Sequence, residues 1–219
     1  MPDNRALETW RTWWLGPRGQ SRLVAFAVMA TLWASAILPA QQSKKRDETT
    51  SYPAHILIIR HAEKPPDAAR SPDLAPAGAA RARALPRLFE ASPDRTDPFP
   101  RPDFIFATRD TKHSHRPLET VGPLGAALGI RINTAFGDND VRALAKELIG
   151  HRKYEGKTVL VVWHQGTIPD LAKALGALDA PHGWADSVFD RVWEITYTKN
   201  GNASFANRPQ HLMSGDAAR

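Results

Sequence analysis

Two apolar runs constrain this chain most: Ile56 to Arg60 (ILIIR) and Thr158 to Trp163 (TVLVVW), each ending directly before a histidine, His61 and His164. Both runs are near-continuous in β-branched or bulky residues, the pattern of strands buried on both faces of a parallel sheet. In open sheets of that kind, ligands gather beyond the C-terminal ends of the strands, which is where both histidines fall.

Between and after these runs, apolar segments alternate with helical stretches, as β-α-β units require. Leu74-Ala75-Pro76-Ala77-Gly78 leads into an Ala/Arg/Leu-rich helix, AARARALPRLFEA, which Pro86 should kink or split. Asp103 to Ala107 reads as a strand, Pro117 opens a helix running toward Gly129, and Asp140 to Ile149 and Ile168 to Leu175 are further helices. Val188 to Tyr197 and Ala203 to Phe205 form an antiparallel pair turned at Lys199-Asn200-Gly201. The expectation is a three-layer α/β/α sandwich with a mostly parallel central sheet, preceded by an N-terminal hydrophobic helix.

That helix is Leu23 to Ala40, 18 residues without a charge, preceded by Arg5, Arg11, Arg18 and Arg22 and followed by Lys44-Lys45-Arg46. Its length lies between the core of a signal peptide, about 7 to 15 residues, and the roughly 20 that span a membrane. Ala34-Ser35-Ala36 and Leu38-Pro39-Ala40 offer cleavage sites, whereas Trp10, Trp13 and Trp14 stand where an interfacial belt would anchor a retained helix. The chain then divides into a basic leader (1–22), a signal anchor or signal peptide (23–40), a linker (41–53), a catalytic domain (54–209) and a flexible tail (210–219). Either reading puts the domain outside the cytoplasm, membrane-anchored or exported to the periplasm or exterior.

Cysteine is absent, which excludes a thiol nucleophile, a disulfide framework and Cys-ligated zinc. The net charge of +6 is interleaved with acidic residues and accompanies no aromatic-basic recognition motif, so nucleic acid is not an expected partner.

Four segments in order, ILIIRHAEK, LAPAGAARARAL, RPLETVGPL and VLVVWHQGTIP, together resemble the histidine phosphatase superfamily, also called phosphoglycerate-mutase-like, over about His55 to Tyr197. The resemblance implies a phosphatase-type enzyme in which His61 is the nucleophile, forming a phosphohistidine that divides hydrolysis into two displacements. Arg60 and Arg116 would supply guanidinium forks to the phosphoryl oxygens, and His164 a second imidazole. Arg109 is the alternative to Arg116, which the Arg-x-x-x-Thr spacing to Thr120 favours. Glu63 is the candidate proton donor to the leaving group, with Glu119 and Asp110 also near the motifs.

His113-Ser114-His115 invites a metal, yet a third ligand is not evident in the sequence, and neither a metal nor a cofactor is expected. Asp186, in the loop with Trp184, Phe189 and Asp190, either contacts the site or serves the turn. The expected substrate is a phosphorylated small molecule or a phosphoprotein, cleaved at a phosphomonoester or phosphoramidate. The alternatives are a phosphoglycerate-mutase-like phosphotransferase and a non-catalytic phosphate-binding envelope protein. Oligomeric state is not readable.

Overall fold

The computed structural model describes residues 51–67, 71–93 and 95–217. The leader, the apolar segment 23–40 and the linker up to residue 50 lie outside the described residues. No helix among the described residues is long and apolar enough to cross a membrane.

Six strands among the described residues form one sheet: β1 (His55–Arg60), β2 (Phe104–Ala107), β3 (Ile132–Asn133), β4 (Thr158–Trp163), β5 (Arg191–Tyr197) and β6 (Ala203–Pro209). Their order is β3-β2-β4-β1-β5-β6. The first four strands pair in parallel, while β5 runs antiparallel to β1 and β6 antiparallel to β5. The two strands that precede the histidines are neighbours, in register from His55–Thr158 to Arg60–Trp163.

Alternation along these central strands divides the core. Ile56, Ile58, Val159 and Val161 pack with helices α3 (Val141–Gly150) and α4 (Ile168–Ala174). Leu57, Ile59, Leu160 and Val162 face the other way, toward α2 (Arg116–Leu128) and Leu85 and Leu88, in the 3-10 turn Leu85–Phe89 after α1 (Pro76–Ala84). The result is the expected three-layer sandwich, with its strands buried on both faces as their uniform apolarity implied.

Local departures have local causes. Helix α1 starts at Pro76, three residues before the expected point, because a proline at the first helical position has its φ already set. It changes to a 3-10 turn at Pro86, as the proline required. Helix α2 ends at Gly129, whose φ of 67° is the left-handed cap that an L side chain rarely adopts. Strand β5 begins at Arg191, not Val188, since the Val188 carbonyl accepts bonds from Arg60 and Trp184 instead of a strand partner. Strand β6 extends to Pro209, pairing with the whole of β5; its polar residues and terminal proline suit an outer strand.

Two boundaries are corrected. Residues 51–53 pack on the domain: Ser51 is buried, Tyr52 stacks on Tyr197 and accepts from Gly156 N–H. Residues 210–217 are not a flexible tail, for Gln210 is fully buried, Leu212 enters the core, and the Asp216 carboxylate is held by Arg81. At the C-terminal boundary the sequence hid this because the polar anchors Gln210 and Asp216 meet Arg81 from more than 100 positions away.

Candidate active site

The ends of β1 and β4 build the site. The His61 N–H donates to the Trp163 carbonyl at 2.9 Å, extending the β1–β4 ladder one residue past each strand. The imidazoles of His61 and His164 then meet edge to face, ring centres 5.2 Å apart.

His61 is 2% exposed. Its Nδ1 lies 2.7 Å from the Ala62 carbonyl, which can only accept, so Nδ1 carries the proton and Nε2 keeps its lone pair. Burial pushes its pKa down to about 3, an effect that His164, Arg60 and Arg116 reinforce and the Ala62 carbonyl opposes. The imidazole is therefore neutral and nucleophilic at any physiological pH. His164 is likewise lowered by burial; Asp138 opposes this, while Arg116 and Arg60 add to it.

Arg60 is the last residue of β1 and 1% exposed. One terminal nitrogen, Nη1, donates to the carbonyls of Asp186 (2.7 Å), Val188 (3.1 Å) and Ala185 (3.4 Å), and the guanidinium lies 4.0 Å over the Phe189 ring. Its Nε and Nη2 are buried without a protein acceptor. Arg116, at the start of α2, donates to the carbonyls of Ser71 and His113, and its Nε also lacks an acceptor. Burial lowers both arginines, Arg60 to about 10. Buried guanidiniums with unused N–H groups stand near two imidazoles whose charged form burial disfavours, an arrangement whose donors suit a tetrahedral oxyanion.

Thr120 links the two motifs: its Oγ accepts from Ala62 N–H at 2.8 Å and donates to the Arg116 carbonyl at 2.7 Å. The Arg-x-x-x-Thr spacing thus has a structural role. Arg109 stands outside the cluster, exposed and near Asp140.

Glu63 has its Oε2 buried without a hydrogen-bond partner. Its Oε1 accepts from Arg81 Nε (2.9 Å) and Nη2 (2.8 Å), an ion pair under the loop that follows His61. A carboxylate that sequence reasoning did not single out, Asp138, acts electrostatically on His164. It follows the two-residue β3, and residues on either side of His164 in the chain hold it: Trp163 Nε1 donates to its backbone carbonyl at 3.1 Å and the Thr167 hydroxyl to its Oδ1. Only the Gly-Asp-Asn-Asp turn marks that segment, and turn residues carry no chemical signature.

Asp186 does reach the site, as its carbonyl binds Arg60 and its Oδ1 accepts from Gln165 Nε2. The Thr167 N–H returns to the His164 carbonyl and so serves the turn. At the mouth, His115 Nδ1 meets Asp73 Oδ1 at 2.9 Å, and with Glu119 these residues bring donor atoms within 4.8 Å of one another. Asp73 is the partner that the His113-Ser114-His115 motif lacked, but Glu119 is engaged by Leu74 N–H, and the cluster is largely exposed.

No family model matches the sequence, and no curated protein matches it. Among solved structures, the protein histidine phosphatase SixA complexed with tungstate superposes with a TM-score of 0.53 at 17% identity, covering 71% of this chain and 97% of that one. A protein from Escherichia coli strain K-12, assigned as an alpha-ribazole-5'-P phosphatase, superposes with a TM-score of 0.50 at 13% identity, covering 73% and 99%. At these identities the likeness is one of fold.

Proposed function

We propose that this chain, whose fold is that of the histidine phosphatase superfamily, is a phosphatase that hydrolyses a phosphomonoester or phosphoramidate through a phosphohistidine on His61. The observation that carries the reading is the neutral, tautomer-fixed His61 facing His164 beside two buried arginines with unused donors. Oxyanion binding also fits the tungstate named for SixA.

In the first step the His61 Nε2 lone pair attacks phosphorus as the bond to the leaving oxygen or nitrogen breaks. Arg60, Arg116 and His164 hold the three equatorial oxygens, where charge spreads in the loose transition state. Asp138 is the group assigned to pass a proton to the departing atom. In the second step water attacks the phosphohistidine; Asp138 takes the proton, and His61 leaves with its lone pair restored. Phosphate is released.

Glu63 supports the loop through Arg81 and takes no part in proton transfer. Residues 23–40 act as a signal anchor or cleaved signal, placing the domain outside the cytoplasm. An intact N-terminus on protein purified from membranes would distinguish the anchor.

The test is a panel of phosphorylated small molecules and a phosphohistidine protein, assayed with the full chain and its His61→Ala variant. Turnover lost in the variant, with acid-labile phosphate on His61 of the parent, is the expected result. Equal turnover by both proteins overturns the reading.

A further inference from the structure

Arg81, on α1, is 5% exposed and touches none of the reacting groups, yet all five of its N–H donors are used. Nε and Nη2 donate to Glu63 Oε1, Nη2 also to Asp216 Oδ1 (2.8 Å), and Nη1 to Asp216 Oδ2 (2.9 Å) and Gln210 Oε1 (3.2 Å). Asp216 Oδ2 in turn accepts the N–H groups of Leu212 (2.8 Å) and Met213 (3.1 Å), closing the segment into a turn around its own carboxylate. Glu63 lies two residues after the nucleophile.

A second thread leaves the same segment. Gln210 N–H donates to the Asp190 carbonyl at 2.8 Å, Ala217 N–H to Asp190 Oδ2 at 2.6 Å, and Gln210 Nε2 to the Arg191 carbonyl at 3.1 Å. Asp190 follows Phe189, the ring under the Arg60 guanidinium, whose centre is 6.3 Å from that of His61. One segment therefore grips both supports of the site. A buried ion pair is a poor means of adding stability, because desolvation offsets its attraction and apolar packing serves as well. Directional bonds do hold geometry, and near-attack alignment is sensitive to displacements of about 1 Å.

We propose that residues 210–217 form a strap that sets the placement of His61 and Arg60, with Asp216 as a positioning residue acting through Arg81–Glu63 and Gln210 acting through Asp190–Phe189. The strap's bonds run to Arg81, Asp190 and Arg191 and to none of His61, His164, Arg60 or Arg116. Its rate consequence rests on the phosphatase reading; its geometric consequence does not.

The experiment compares the full chain with Asp216→Asn, Asp216→Glu, Arg81→Lys and the core control Leu148→Ala, which is on α3 against the opposite face of the sheet. Turnover of p-nitrophenyl phosphate is measured well below each variant's Tm, and His61 ring resonances are recorded by NMR with and without tungstate. Asp216→Asn should lower kcat by about 10- to 100-fold with a smaller change in KM and should move the His61 resonances. Asp216→Glu should recover most of both, and Leu148→Ala should lower Tm alone. Should Asp216→Asn not fold, Arg81→Lys, which keeps the charge but not the five-donor fork, carries the same expectation. A lower Tm with kcat and resonances unchanged overturns the strap. If the parent turns over no substrate, the phosphatase reading fails, and the resonances alone decide the strap.

Discussion

The backbone N–H of His61 donates to the carbonyl of Trp163 across 2.9 Å, so the residues that end two neighbouring strands bring His61 and His164 together before any side chain is considered. The pairing depends on β1 and β4 being adjacent in the sheet although about a hundred residues separate them in the chain. It sets the two imidazoles edge to face, within the electrostatic reach of Arg60 and Arg116.

Acid should destabilise the protein through His61. Its pKa falls from the ordinary 6.5 to about 3 on folding, so between those values the unfolded chain binds a proton that the folded one refuses. Stability is unaffected above pH 6.5 and is lost progressively as pH drops toward 3. His61→Gln should flatten the fall of Tm between pH 7 and 4, leaving a residual slope from His164, which is lowered in the same sense. Thermal melts across that range measure it; parallel curves for the two proteins count against a buried neutral His61.

Oxyanions should stabilise the fold. Tungstate or phosphate satisfies the unused Nε and Nη2 of Arg60, and at a hundred times Kd the gain is about 2.7 kcal/mol. Arg60→Lys replaces the planar fork with a point donor and should reduce the ligand-induced rise in Tm to a small fraction. Calorimetric titration gives the corresponding Kd.

Gly78 lies against the loop of the nucleophile. A Cβ built there would stand 2.4 Å from the Glu63 carbonyl and 2.9 Å from its nitrogen, both backbone atoms that cannot rotate away. Gly78→Ala should cost about 1–3 kcal/mol in denaturant unfolding and lower turnover as the His61 loop is displaced. Gly122→Ala, in the open, is the control.

Thr120→Val removes the acceptor for the fully buried Ala62 N–H, which should cost about 1–3 kcal/mol and slow turnover. Thr120→Ser restores the hydroxyl and should recover most of the loss. Equal damage from the two variants would point to the methyl group and not to the hydrogen bond.

Asp138→Asn separates leaving groups. If Asp138 delivers the proton, hydrolysis of an alkyl phosphate should fall about 100- to 10,000-fold while p-nitrophenyl phosphate, whose leaving group departs without help, is affected far less. A uniform loss across both substrates would falsify the assignment.

The placement of His61, Arg60, Arg116 and His164 was legible because each ends or follows an apolar strand or opens a helix with a recognisable spacing. Local pattern reports where a chain points. Burial separates Arg116 from the alternative Arg109, since Arg116 is enclosed and Arg109 stays at the surface. Asp138 was hidden for the opposite reason: it lies in a turn beyond the two-residue β3, and its link to the His164 segment comes from Trp163 and Thr167.

The sequence by itself determined the layers, the buried parallel strands and the strand-end positions of His61 and His164, because hydrophobic periodicity and strand-end position are properties of short windows. Tertiary structure decided what the carboxylates do. Glu63 is drawn to Arg81 and Asp216 to the same guanidinium, so a residue expected at the chemistry supports a loop, and a segment expected to be loose becomes its anchor. Such choices depend on which cation is nearest in space, and no local pattern encodes a distance across 135 positions.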